Sequence, residues 1–126
     1  MSKPEEKILE ILNKEKIQVI REKAFQDLKH GKFRFDFYLP QLNCLIEYDG
    51  EQHFYQVAAF QKTRQSFLKQ QEHDRLKNSY CLANNLTLYR IPYWELTSIK
   101  SVNDLFKKSF LVKNKWHNDM LKVPKK

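Results

Sequence analysis

The chain has 126 residues, 41% of them hydrophobic and 13% aromatic, enough for one domain with a buried core and too apolar for a disordered segment. Its formal net charge of +8 favours a polyanionic partner, with nucleic acid ahead of an anionic membrane surface. No apolar run is long enough to span a bilayer, and the first residues, MSKPEEK, lack a signal-peptide core.

In chain order, Pro4-Glu5-Glu6 opens a helix, because proline suits the first turn and acids suit the positive end of the helix dipole. Ile8, Leu9, Ile11 and Leu12 form its apolar stripe, and it ends near Asn13. Glu6 stands just off that stripe, facing water or leaning toward the sheet. Residues 17–25 are rich in β-branched side chains and predict a first strand; a polar connection carrying Lys29, His30 and Lys32 follows.

Residues 31–54, GKFRFDFYLPQLNCLIEYDGEQHF, predict two strands around a turn at Pro40-Gln41-Leu42-Asn43. By alternation Phe33, Phe35 and Phe37 share a core face, opposite Arg34, Asp36 and Tyr38. In the second strand Cys44, Ile46 and Tyr48 point one way, and Leu45, Glu47 and Asp49 the other. A symmetric turn places Phe37 across from Ile46 and Asp36 across from Glu47. Opposed carboxylates weaken a sheet, and Asp49 adds a third on the face of Glu47. A hard divalent cation gives such a cluster a use, since magnesium binds through one or two carboxylates and leaves room for phosphate. The competing reading is a solvated set of acids, with Asp49-Gly50 an ordinary turn. Glu47 sits in an apolar run, however, and a carboxylate there needs a partner or a proton.

Residues 63–84 predict a long helix with Phe67, Leu68, Leu76, Tyr80 and Leu82 or Ala83 as its apolar face. Asp74 and Lys77 are neighbours on one side of it. A fourth strand covers 86–93, and a last helix 102–112 is capped by Ser101 or Asn103. Residues 1–112 then make up the α/β domain. The basic tail, 113–126, is left three fates: to fray, to fold back through Trp116 and Met120, or to touch a phosphate backbone. Cys44 and Cys81 lack a paired spacing and read as core thiols of an intracellular protein. His30, His73 and His117 are expected at the surface. The order helix, three antiparallel strands, helix, strand, helix predicts an α/β sandwich with a mixed sheet.

The segments RFDFYLP, LIEYDGEQHF, HDRLKNSYC and LYRIPY together resemble the PD-(D/E)XK nuclease superfamily. They are most similar to the branch of very-short-patch repair endonucleases and phage EDxHD homing endonucleases. The resemblance spans residues 5–93 and is most specific at IEYDGEQHF. It implies a restriction-endonuclease-like three-layer sandwich and a virus- or phage-like origin. It also implies a Mg2+- or Mn2+-dependent endonuclease acting on DNA. Asp36 and Glu47 match the metal-ligating acids. Asp49 stands where the superfamily usually has a lysine, which leaves the general base open; the EDxHD branch uses a histidine, matched by His53. Asp74 and Lys77 match positions on the following helix, and Glu6 a helix glutamate near the metal.

On this reading His53 accepts a proton from water, Lys77 replaces the missing lysine charge, and Gln52 orients water or phosphate. Lys29, Lys32, Arg34, Arg64 and Lys69 are the expected backbone contacts. Specificity would come from loops, with residues 51–62 as the DNA-inserting candidate, from DNA shape, or from a second copy or a separate partner. The rival readings are a non-catalytic nucleic-acid-binding protein on a decayed nuclease fold, and a nuclease for RNA or branched DNA.

Overall fold

The computed structural model describes residues 1–57 and 63–124. Helix α1 (Lys3–Lys14) starts at a capping box: the Ser2 hydroxyl accepts from Glu5 N, and the Glu5 carboxylate accepts from Ser2 N. It buries Ile8 and Leu12 completely, each contributing roughly 1.5–3 kcal/mol of apolar transfer. Strands β1 (Ile20–Ala24), β2 (Arg34–Leu39), β3 (Cys44–Asp49) and β4 (Thr87–Pro92) form one sheet in that order. The first three run antiparallel, while β4 pairs with β3 in parallel. Parallel neighbours need a crossover, and helix α2 (Arg64–Ala83) supplies it. The turn between β2 and β3 falls at Pro40–Leu42 and closes on Asn43 in the left-handed conformation (φ 50°).

Two cores result, one on each face of the sheet. On the first, Ile8 and Leu12 pack with Phe37, Ile46, Ile91, Ile99, Leu105 and Phe110. On the second, Cys81 of α2 packs with Phe35, Leu45, Leu88 and Val112. The molecule is therefore a mixed α/β sandwich, its central mixed sheet flanked by helices. Both cysteines are buried and unpaired.

Four expectations change. Phe33, Phe35 and Phe37 do not share a face: Phe35 enters the α2 core and Phe37 the α1 core. Alternation breaks at Asp36 between them, level with Glu22 of β1, whose φ is 53°.

The side of α2 against the sheet is mixed rather than apolar, and of the expected apolar face Tyr80 packs on the second core. Its buried residues are Asp74, Asn78 and Cys81, whereas Leu68 and Leu82 are 45% and 42% exposed and Ala83 is exposed too. The last helix shortens to α3 (Val102–Leu105), started by Ser101, with a single turn at Lys108–Phe110 beyond it. A continuous helix cannot deliver Phe110 to one core and Val112 to the other. The chain instead extends beside β4, where Leu111 bridges Tyr89 and Val112 N donates to Leu88 O at 2.9 Å. His117 is buried and His73 half-buried on the Phe33 ring, while His30 is exposed as expected.

Of the three fates open to the tail, the structure shows the fold back. Asn78 Nδ2 of α2 donates to Lys115 O (3.1 Å), and Arg75 pairs with Asp119 (2.8 Å) and lies over the Trp116 ring. Part of the 51–62 segment, residues 58–62, lies outside the described residues.

Candidate active site

The site begins where β2 and β3 part. Their ladder runs Leu39↔Cys44, Tyr38↔Leu45, Phe37↔Ile46, the register that a symmetric turn predicts. One step further, side chains replace the ladder. Asp36 N donates to Glu47 Oε1 (2.7 Å), and Tyr48 N donates to Asp36 Oδ2 (2.8 Å). The two carboxylates thus do not oppose each other as a cross-strand pair; each takes an amide of the other strand. Meanwhile β3 stays paired with β4 through Glu47↔Arg90 and Asp49↔Pro92.

Asp36 and Glu47 open onto a cleft of about 580 Å³, also lined by Glu5, Gln52, His53 and Lys77. Gln52 packs against Gly50, where a Cβ would lie 2.6 Å from its Oε1. The acid that α1 contributes is Glu5; Glu6 is exposed and does not line the cleft. Glu5 is held by Arg21 (2.7 Å), whose Nε also donates to Asp36 O (3.1 Å).

Beneath the cleft lies a buried charge network centred on a residue that sequence reasoning missed. Arg90 is 0% exposed; its Nη1 donates to Asp49 Oδ1 (2.8 Å), its Nε to Asn78 Oδ1 (2.7 Å) and its Nη2 to Asp74 O (3.3 Å). Burial works against its charge, and the charges of Asp49, Asp74 and Glu47 more than offset that, so it stays protonated. The signal was present in LTLYRIPY: an arginine on the inward face of an apolar strand needs a buried acid. Asp49 is likewise 0% exposed and does not line the cleft. Its Oδ1 accepts from Arg90 and its Oδ2 from Asn118 (3.0 Å), so in this structure it serves as a counter-charge to Arg90.

Asp74 lies against His53. Its Oδ2 accepts from His53 Nδ1 at 2.8 Å, with Asp49 Oδ1 3.5 Å from the same nitrogen. Burial alone would lower the basicity of His53, but the Asp49 charge and the Asp74 hydrogen bond outweigh it and push the pKa up to about 9. Burial raises Asp74 in turn, yet Arg90 and His53 bring it below the ordinary carboxylate range. His53 is thus an imidazolium at neutral pH.

Lys77 reaches the site as expected, its Nζ 3.2 Å from Glu47 Oε2 and donating to Arg34 O at 2.6 Å. Three cations (Arg90, His53, Lys77) therefore face three buried carboxylates (Glu47, Asp49, Asp74), and Asp36 is left over. Burial and the Glu47 charge push Asp36 up to about 8, against the restraint of the Tyr48 amide.

That imbalance is the test of metal fit. Among the described residues no three or more His, Cys, Asp or Glu side chains form a metal cage. A magnesium-type ion does not require one, because two carboxylates on an open cleft, completed by water and phosphate, are a sufficient set. Asp36 and Glu47 provide that set, and the charge a cation would compensate is the one now suppressed by a proton on Asp36. Of the expected phosphate contacts, Lys32, Arg34 and Lys69 line a basin beside the cleft; Lys29 and Arg64 are exposed elsewhere.

Three curated proteins resemble parts of the chain. It is 40% identical over 67 residues to uncharacterized protein 307L of Invertebrate iridescent virus 6, covering 52% of this chain and 34% of that protein. It is 34% identical over 80 residues to uncharacterized protein 094L of Frog virus 3, covering 62% of this chain and 52% of the other. It is 31% identical over 63 residues to uncharacterized protein 033L of Invertebrate iridescent virus 3, with 50% and 32% covered. The chain thus spans about a third to a half of the length of these relatives. All three are virus proteins, in keeping with the expected viral origin. No protein-family model and no solved structure matches the chain. Among the described residues no helix is long and apolar enough to cross a membrane.

Proposed function

We propose that the chain is a metal-dependent endonuclease hydrolysing DNA phosphodiester bonds, on a restriction-endonuclease-like fold of the PD-(D/E)XK type, acting inside the host cell of a virus. The observation that carries this reading is the pair Asp36 and Glu47 at the parting of two strands, on an open cleft, with Asp36 lacking a cation of its own. Held there, Mg2+ or Mn2+ would supply Lewis acidity to the phosphate and to the attacking water.

The chain's own groups do the rest. Lys77, between Glu47 and the cleft, offers positive charge to the phosphoryl oxygens as negative charge builds on them. With Nδ1 taken by Asp74, His53 has Nε2 as its other nitrogen for exchanging a proton with water, a phosphate oxygen or the leaving alkoxide. Gln52 lines the cleft as a neutral group that orients water or phosphate.

A second reading has one observation in its favour. Lys77 lies against Glu47 and Arg90 against Asp49, which is how a decayed, non-catalytic nucleic-acid binder would quench its old ligands. Supercoiled plasmid separates the two when incubated with Mg2+, Mn2+, Ca2+ or EDTA. The enzyme nicks or linearises plasmid with Mg2+ or Mn2+ and not with EDTA, and Asp36→Asn and Glu47→Gln each lose at least about a hundredfold in rate, the scale of removing one electrostatic partner. Plasmid bound but intact in every metal establishes the decayed binder; cleavage confined to RNA or branched DNA in parallel tubes changes the substrate.

A further inference from the structure

A second concavity, of about 510 Å³, lies on the α2 side next to the cleft, and Gln70 and Lys77 line both. Lys32, Arg34 and Lys69 supply its cations, from the connection before β2, from β2 itself and from α2. All three are exposed. Its remaining wall is a ring pair, Phe33 and His73, with centroids 4.5 Å apart and planes tilted by 40°. Among the described residues no acid lines it, although the chain carries 15 Asp and Glu. Cations drawn from separate segments, with aromatic rings between them and no anion, fit a sugar–phosphate strand: phosphates pair with the ammonium and guanidinium groups while sugars or an unstacked base lie on the rings.

We propose that this basin is the track along which a nucleic-acid strand enters the cleft, and that Lys32, Arg34 and Lys69, rather than Lys29 and Arg64, carry the phosphate contacts. The inference rests on the proposed nuclease reading for its direction, since Lys77 at the shared wall hands the strand from basin to cleft.

The test is equilibrium binding of a fluorescein-labelled 20-base-pair DNA duplex, and of one of its strands alone, to the full chain in EDTA over a range of salt. The basin variant is K32E/R34E/K69E; the charge-matched control is K14E/K16E/K108E, three exposed lysines at the end of α1 and after α3. The track predicts at least tenfold weaker binding by the basin variant at about 0.1 M salt. It also predicts a salt slope lower by about 2–3, near 0.9 per lost duplex contact. The control should stay within about threefold of wild type. Wild-type affinity in the basin variant overturns the track, as does an equal loss in the control, which would reduce binding to net charge. Circular dichroism melts identify a variant that fails to fold, and the single changes K69A and F33A then serve instead, each expected to weaken binding about threefold or more. Because EDTA prevents cleavage, the two proposals fail separately. A basin that binds in a protein that never cuts leaves the track standing; metal-dependent cutting unaffected by the basin variant leaves only the nuclease.

Discussion

Asp36 keeps its proton in a place where an ordinary aspartate would be ionised, because burial and the neighbouring Glu47 both work against its charge. Its folded pKa of about 8 stands above the ordinary 3.8, so between those values the folded protein binds more protons than the unfolded chain, and stability falls as pH rises through that window. Asp36→Asn removes the titration while keeping an acceptor for Tyr48 N. With solvent in the cleft screening part of the repulsion, it should be about 1–3 kcal/mol more stable than wild type at pH 8 and lose any melting response to Mg2+. Denaturant melts at pH 5 and pH 8 decide this; a variant less stable than wild type at pH 8 would remove Asp36 from the charge imbalance. Arg90 makes the opposite case. It is the buried cation that Asp49 leans on, so Arg90→Met strands an acid with no exposure. The expected loss is about 3–5 kcal/mol, read from urea unfolding midpoints, and a loss under about 1 kcal/mol would mean that Asp49 finds its charge balance elsewhere.

At the scale of elements, α2 and the returning tail show which parts of the design the sequence carried. The register Phe37↔Ile46 was legible because a short turn, with alternation holding from Phe37 to Ile46, leaves little freedom. So was the placing of Glu47 on an inward face beside Leu45. The inward side of α2 was not legible, because a helix that buries Asp74 and Asn78 against an arginine does so for polar reasons that hydrophobic periodicity cannot detect. Glu5 and Glu6 were indistinguishable as first-turn acids; which one meets the cleft depends on the helix rotation fixed by Ile8 and Leu12. The sequence left the fold back of the tail as one of three fates for a related reason, as its contacts are single polar groups rather than a stripe. Asn118 binds Asp49, Asp119 binds Arg75, and the Lys115 carbonyl takes Asn78. A chain ending at Val112 leaves the buried Asp49 Oδ2 and Asn78 Nδ2 without these partners, so it should unfold about 1–3 kcal/mol more easily. Asn118→Ala alone should give part of that loss. If the shortened chain has the wild-type urea midpoint, the tail is ornament to the site rather than one of its walls.

Over the whole molecule, a chain with formal net charge +8 holds a buried cluster in which Asp36 has no cation of its own and keeps its proton. On the proposed nuclease reading the net charge would attract a polyanion at long range, and the Asp36–Glu47 pair would select, at short range, the cation that accompanies it. Proton and cation would compete for Asp36, which fixes the pH dependence. In the metal-free protein Asp36 and His53 both have raised pKa values, about 8 and 9, so each contributes a stability that declines as pH rises through them. Asp74, shifted down, acts at the other end, where its contribution is lost as pH falls through its lowered pKa. Stability without metal should therefore peak in mildly acid solution. On the proposed reading a divalent cation would occupy the site by displacing the Asp36 proton. Its apparent affinity should climb with pH, by up to about tenfold per unit below 8, and level off above it, with close to one proton released per ion at pH 7 and almost none at pH 9.5. Calorimetry in two buffers of different ionisation enthalpy measures that proton count directly, using Mn2+ on the wild-type chain and on Asp36→Asn. A proton count near zero at pH 7 with tight Mn2+ binding would mean that Asp36 is already ionised and that the cleft carries a different balance of charge from the one drawn here. Absence of Mn2+ binding at pH 8.5, where the carboxylate is free, would leave Asp36 and Glu47 as structural anchors for two backbone amides and take the metal from the site altogether.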